Sequence, residues 1–214
     1  METKDIDFSK LSPMMKQYFE VKNKYKNHIL FYRLGDFYEM FFDDAIIASR
    51  ELELTLTGRD CGLEERAPMC GVPHHACDVY LKKLIEKGYN VAICEQTMDP
   101  AMCKGIVPRE VIRVVTPGTL IESSMLDETS NNYICAFYMR AKESALCLAD
   151  ISTGEVHLFE FEGKEMTSSA INELSRFSPA EILINDAFLS NKELSSFIRE
   201  KLKTSVQLLE ENDF

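Results

Sequence analysis

The sequence predicts a mixed α/β protein made of two successive units, and three observations support that prediction. Short apolar segments of strand length alternate with longer segments whose apolar residues recur at helical spacing. Pro117 and Gly118 end this first series. A polar stretch without periodicity then precedes a second series, which opens with three strand-like segments in a row. With 214 residues the chain is long enough to bury two cores.

The first unit, predicted over residues 1–119, interleaves helices with the strands of a mixed sheet. Ser12 and Pro13 mark a helix start, because the hydroxyl can cap a helix and proline suits its first position. A later helix runs from about 75 to 87 and ends at Gly88, a favoured C-terminal cap. The other predicted elements are strands at 29–34, 37–40, 54–57, 89–96 and 107–116 and a helix at 41–53.

The second unit, predicted over residues 133–214, follows a polar linker at 120–132. Its predicted elements are strands at 133–140, 144–151, 155–161 and 181–184 and helices at 165–177 and 191–203. Antiparallel hairpins followed by a β-α-β-α alternation are the element order of a ribonuclease-H-like fold. The chain stops before that order is complete, so we expect a truncated domain and a piece of a longer protein.

Composition limits the classes of function. No apolar run approaches the length of a membrane span, and Met1–Asp5 does not resemble a signal peptide, which indicates a cytoplasmic protein without a membrane partner. Seven cysteines without a regular framework indicate reduced thiols. The net charge of −11 disfavours phosphate binding, but residues 1–120 hold 16 basic and 18 acidic residues, against 8 and 17 in residues 121–214. The acidity therefore lies mainly in the second unit.

The most informative motif is Gly35-Asp36-Phe37-Tyr38-Glu39-Met40-Phe41. In an extended strand Phe37 and Glu39 share one face, whereas Tyr38 lies on the other. The ring could wedge between stacked bases while the carboxylate accepts a hydrogen bond from the displaced base. The alternative is a core ring beside a solvated charge, which is the commoner meaning of such a pattern.

Four blocks in fixed order carry a family resemblance. They are Phe31-Tyr32-Arg33-Leu34 with the motif above, the segment 67–76, Val91-Ala92-Ile93-Cys94-Glu95-Gln96, and the segment 109–119. Together they resemble the N-terminal part of the MutS family, the DNA mismatch-recognition proteins of bacteria. The resemblance is close over residues 9–120 and looser beyond them.

The resemblance implies a mismatch-recognition domain followed by a ribonuclease-H-like connector domain. It implies that Phe37 is an aromatic wedge entering from the minor groove and that Glu39 is its acidic partner. Mismatched duplex DNA is the implied ligand, and a MutL-type protein is the implied partner of the connector. The family's ATP- and Mg²⁺-dependent ATPase and its homodimer contacts belong to regions outside this chain, so no catalytic residue and no cofactor are expected here.

Four basic residues are candidates for phosphate contacts, namely Arg59, Lys104, Arg109 and Arg113. Surface arginines and lysines are common, so residue type alone does not single these four out. No nucleotide-binding glycine loop and no nucleophile motif occur in the sequence.

Two further clusters leave alternatives open. Cys70, His74, His75 and Cys77 could suggest zinc, but their spacing matches no usual pattern and a turn before the next helix is the preferred interpretation, so no metal is expected. Asp150, with Asp186 after a later strand, could start the Mg²⁺ site of a ribonuclease-H-like nuclease. The alternative is that Asp150 stabilises a turn through hydrogen bonds to the backbone.

Overall fold

The computed structural model describes residues 7–202 and 204–214 and divides the chain into two compact units, Met1–Val115 and Thr116–Phe214. The domain limits expected from the sequence (1–119, 120–132 and 133–214) stay a prediction. The expectation about Met1–Asp5 lies outside the described residues. Both units combine helices with a mixed sheet, which confirms the predicted α/β class. Within the described residues no helix is long and apolar enough to cross a membrane.

The first unit is a six-stranded sheet with helices on both faces. Its helices are α1 (Pro13–Lys22), α2 (Phe42–Leu52) and α3 (Cys77–Glu86), and its strands are β1 (Ile29–Leu34), β2 (Phe37–Phe41), β3 (Thr57–Arg59), β4 (Ala67–Pro73), β5 (Val91–Gln96) and β6 (Arg109–Val115). The strand order is β3-β4-β2-β1-β5-β6, with β1 and β5 parallel and the other neighbours antiparallel. The Ser12 hydroxyl accepts a hydrogen bond from the Met15 amide, so the predicted N-cap of α1 is confirmed.

The core on one face of this sheet is built around α1. Tyr18 of α1 packs edge-on against Tyr32 of β1 and Phe41 of β2, with ring centroids 5.4 and 5.1 Å apart. On the opposite face α2 and α3 cover buried side chains of β4 and β5 such as Val72 and Ile93. Because strand side chains alternate, β2 contributes residues to both layers.

Two sequence predictions for the first unit were wrong. The strand expected at 54–57 begins only at Thr57 and continues to Arg59. The segment interpreted as a turn before α3 is strand β4 as far as Pro73, and a 3-10 turn at His74–Ala76 then leads into α3. Gly71 and Pro73 resemble turn residues in the sequence, but Gly71 pairs with Glu39 and Pro73 with Phe37 in the register of β4 with β2.

The second unit carries a five-stranded sheet. Its elements are β7 (Tyr133–Met139), β8 (Glu143–Asp150), β9 (Glu155–Glu162), α4 (Met166–Phe177), β10 (Glu181–Ile184), α5 (Asp186–Leu189), α6 (Lys192–Phe197) and β11 (Ser205–Leu208). The strand order is β11-β10-β7-β8-β9, so the predicted antiparallel meander β7-β8-β9 is confirmed, and β10 runs parallel to β7 and β11. Phe137 and Leu174 belong to the core between this sheet and its helices.

The helix predicted at 191–203 is confirmed over the described residues, but it is formed by two successive helical segments. The structure has the short helix α5, then α6, then a π-helical turn at Ile198–Leu202, while position 203 lies outside the described residues. Asn191 caps α6, because its side chain accepts a hydrogen bond from the Leu194 amide. Strand β11 was not predicted, because its side chains are alternately half-buried and exposed and none is apolar and buried.

A Pro-Gly turn is fixed to the sheet of the second unit. The buried Glu181 carboxylate accepts a hydrogen bond from the Thr116 hydroxyl and another, at 3.1 Å, from the Gly118 amide. A Cβ atom at Gly118 would lie 2.8 Å from the Cβ of Ile134, so only glycine fits there. This turn therefore packs on the sheet of the second unit.

Candidate nucleic-acid interface

A tight hairpin presents Phe37 at one end of the first sheet. Leu34 of β1 pairs with Phe37 of β2, which leaves Gly35 and Asp36 as the connecting residues. Gly35 has a φ of +57°, a left-handed conformation that glycine adopts without steric cost. Phe37 follows directly and is 47% exposed, whereas Phe41 at the other end of the same strand is buried.

The two faces of β2 have different surroundings. Phe37, Glu39 and Phe41 share the face that carries α1, as the two-residue period predicts, and Tyr38 lies on the other face. The Tyr38 hydroxyl donates a hydrogen bond to the Glu95 carboxylate, which also pairs with Arg33 at 3.3 Å. Burial, and then the hydrogen bond to Glu95, raise the pKa of Tyr38, so the hydroxyl stays a donor at neutral pH. Contacts on the Tyr38 face thus hold β2 in place, while Phe37 on the other face remains exposed.

Glu39 is paired within the protein. Its Oε2 atom accepts a hydrogen bond from Arg59 Nη1 at 2.6 Å, and the two side chains are 15% and 39% exposed. Arg59 was predicted to contact phosphate, and here it contacts Glu39, the predicted acidic partner of Phe37. Gly71 lies opposite Glu39 on β4, where an added Cβ would come within 3.4 Å of Glu39 Cγ.

The other predicted basic residues are not gathered at one place. Arg109 at the start of β6 is only 9% exposed, and its guanidinium donates to the carbonyls of Arg33 and Val107 and to the Gln17 side chain. Lys104 is exposed in the loop between β5 and β6, and Arg113 is half-buried on β6. Since β6 and β3 are the two edge strands, Arg109 and Arg113 lie across the sheet from Arg59.

The cysteine and histidine cluster is dispersed. The Cys70 thiol is buried against the Ala45 carbonyl, and burial raises its pKa to about 12, so it is not a ready thiolate ligand. His74 Nδ1 lies 3.2 Å from the Asp36 carbonyl oxygen. In the part of the chain that the structure describes, no three His, Cys, Asp or Glu side chains come together as a metal site.

Asp150 stabilises a turn at the end of β8. Its Oδ1 atom accepts hydrogen bonds from the Ser152 amide (2.9 Å), the Ser152 hydroxyl (2.7 Å) and the Thr153 amide (3.3 Å), and Oδ2 accepts from the Asn132 amide at 3.1 Å. Burial acts to raise the pKa of Asp150, but these hydrogen bonds outweigh burial and lower it. Asp186, the second carboxylate of the nuclease alternative, is exposed at the start of α5. These contacts match the turn interpretation.

Sequence reasoning missed two residues of this site. Glu95 lies in a quoted block, but its contact with Tyr38 depends on β1 and β5 being parallel neighbours, with Tyr32 opposite Cys94. Gly71 was taken for a turn residue, and its place opposite Glu39 depends on the pairing of β4 with β2. The only sequence signal for either was membership in a block of the family resemblance.

Comparison with known proteins identifies the kind of domains that carry this geometry. The family model of MutS domain I matches residues 12–124, and that of MutS domain II matches residues 132–214. The chain belongs to the MutS family.

Its relatives are proteins named DNA mismatch repair protein MutS. The one from Ruminiclostridium cellulolyticum is 52% identical over 204 residues, which is 95% of this chain and 23% of the relative. That from Acetivibrio thermocellus is 50% identical over the same shares, and that from Clostridium perfringens is 56% identical over 83% of this chain and 20% of the relative. The chain therefore spans about a quarter of the length of the relatives it matches.

Proposed function

We propose that the first unit recognises mispaired and unpaired bases in duplex DNA for mismatch repair, with Phe37 as a wedge inserted from the minor groove. One observation carries the proposal: Phe37 is a half-exposed ring at the end of a hairpin whose other face is anchored by Tyr38. An inserting ring must be accessible and its backbone must be held in place. The names of the relatives support the same role.

The energetics favour insertion at a mispair. Separating two stacked base pairs costs a few kcal/mol per step, and a mismatched step is already weakened. Stacking of one aromatic ring on a base contributes about 1–3 kcal/mol of favourable free energy. Insertion is therefore close to neutral at a paired step and favourable beside a mispair. Because insertion depends on how easily the DNA step deforms and not on contacts with base edges, one ring can recognise many different mispairs and small loops.

Glu39 contributes discrimination. Its carboxylate accepts a hydrogen bond from the displaced base at a mispair. At a fully paired step no base moves to meet it, and a carboxylate that is brought near phosphates and desolvated without a hydrogen bond from a base is unfavourable. Glu39 therefore weakens binding to correct DNA more than binding to mismatched DNA.

Phosphate contacts are proposed for Arg59, Lys104, Arg109 and Arg113. Lys104 is exposed and needs no rearrangement, whereas Arg109 must release its hydrogen bonds to Gln17 and to backbone carbonyls. With a net charge of −11, the 214-residue chain gains little from counterion release, so it binds duplex DNA weakly when alone.

The second unit and the remaining parts of the full-length protein have separate proposed roles. We propose that the second unit is a connector that helps recruit a MutL-type protein in the cytoplasm. Homodimerisation and ATP hydrolysis with Mg²⁺ are proposed for the parts of the full-length protein that these 214 residues do not span.

The test is DNA binding by a full-length MutS that carries this chain. Phe37→Ala should abolish the preference for a G·T mismatch over homoduplex DNA. Phe8→Ala is the matched control, because Phe8 is 48% exposed in the same unit but lies outside the hairpin. An unchanged preference in a folded Phe37→Ala protein, or an equal loss in Phe8→Ala, would contradict the wedge assignment.

A further inference from the structure

We infer that Arg59 is a positioning residue for mismatch discrimination, which holds the Glu39 carboxylate beside the wedge before DNA binds. The inference rests on the function proposed above for Phe37 and Glu39. It assigns Arg59 a contact with the acidic partner as its main role, ahead of the phosphate contact proposed for it above.

The ion pair between Arg59 and Glu39 joins two strands that are not neighbours in the sheet. Arg59 lies on β3 and Glu39 on β2, and β4 runs between them. On β4, Ala67 lies opposite Arg59 and Gly71 lies opposite Glu39. Gly71 has no side chain to occupy the face of β4 beside Glu39, and the long arginine side chain reaches Glu39 Oε2 at 2.6 Å across this strand. At Gly71 even a methyl group would crowd the Glu39 side chain and the Tyr38 carbonyl, at 3.4 and 3.3 Å.

The ion pair with Arg59 leaves the Glu39 carboxylate able to accept a further hydrogen bond. A carboxylate has two oxygens with about four acceptor sites. The short hydrogen bond from Arg59 involves Oε2, so acceptor capacity remains for a base. A half-exposed ion pair adds little to folding stability, so its main consequence is to fix the direction of Glu39 and to offset its charge near phosphates.

A phosphate contact and a positioning contact make different predictions. If Arg59 only binds phosphate, its loss weakens binding to mismatched and homoduplex DNA by the same factor and reduces the salt dependence. If Arg59 positions Glu39, its loss reduces the ratio of the two affinities, because a misdirected carboxylate no longer meets the displaced base. That reduction must vanish once the Glu39 carboxylate has been removed.

The experiment is a double-mutant cycle in a full-length MutS carrying this chain, with affinities for G·T and homoduplex DNA as the readout. Arg59→Ala should lower the mismatch-to-homoduplex ratio roughly three- to tenfold, and Arg59→Lys should restore part of it. In a Glu39→Ala background, Arg59→Ala should change the ratio by less than about twofold. Arg66→Ala is the charge-matched control, since Arg66 is an exposed arginine in the loop before β4.

The outcomes distinguish a failure of this inference from a failure of the function proposed for Phe37 and Glu39. A lowered ratio in Glu39→Ala, together with equal effects of Arg59→Ala in both backgrounds, overturns the positioning role alone. An unchanged ratio in Glu39→Ala overturns the role of Glu39 and the inference with it. Thermal unfolding of each variant should stay within a few degrees of the parent. If Arg59→Ala unfolds, Arg59→Gln, which keeps a donor without the charge, replaces it in the cycle.

Discussion

Removing the ring of Phe37 should leave the fold of the first unit nearly intact, and this distinguishes a wedge from a core ring. Replacing a fully buried phenylalanine by alanine costs about 3–5 kcal/mol, because apolar contacts are lost and a cavity remains. Residue Phe37 is 47% exposed, so its removal loses only about half of the transfer free energy of a buried phenylalanine, and no closed cavity forms. Phe37→Ala should therefore lower the free energy of unfolding by only about 1 kcal/mol.

Phe41→Ala is the matched comparison, since Phe41 ends the same strand on the same face but is buried with its ring 5.1 Å from that of Tyr18. It should cost about 3–5 kcal/mol. Denaturant unfolding of the 214-residue chain, followed by circular dichroism, measures both variants. If Phe37→Ala destabilises the chain as much as Phe41→Ala, Phe37 is a core ring and the wedge assignment fails.

Three further predictions concern charge and hydrogen bonding. In a full-length MutS carrying this chain, Glu39→Gln should keep or raise affinity for homoduplex DNA, lower the mismatch-to-homoduplex ratio and leave the salt slope nearly unchanged; a uniform loss on both duplexes would contradict the role of Glu39. Burial raises the pKa of Asp150, but its hydrogen bonds lower this pKa by more, so the net pKa in the folded protein is below the unfolded pKa of about 4. The ionised Asp150 therefore stabilises the fold at pH values above the unfolded pKa, and this stabilisation is lost as the pH falls through the folded pKa. Asp150→Asn should therefore cost about 2 kcal/mol at pH 7 and little in acid, measured as unfolding of the second unit across pH; equal cost at both pH values would refute it. The isolated 214-residue chain should bind duplex DNA only weakly at physiological salt, and a submicromolar affinity in a fluorescence anisotropy titration would disprove the charge argument.

Local patterns predicted part of this molecule correctly. The alternation of side chains placed Phe37 and Glu39 on one face and Tyr38 on the other, because a two-residue period needs no knowledge of neighbouring strands. The meander β7-β8-β9 was also predictable, since short turns join adjacent antiparallel strands.

Features that depend on distant partners were not predictable. Strand β4 contains Pro68, Gly71 and Pro73, which favour turns, and it becomes a strand because β2 and β3 pair with it on either side. The contacts of Arg59 with Glu39 and of Tyr38 with Glu95 join residues 20 and 57 positions apart in the chain. Only the strand order of the folded sheet brings them together.

The most direct test of the central claim is to locate the ring on bound DNA. A photoreactive benzoyl-phenylalanine replaces Phe37 in a full-length MutS carrying this chain, and in a control protein it replaces Phe8, a residue of nearly equal exposure. We predict that crosslinks from position 37 fall on the mispair or its immediate neighbours and are lost on homoduplex DNA, while position 8 gives no such pattern. Crosslinks from position 37 that spread evenly along both duplexes would contradict the account.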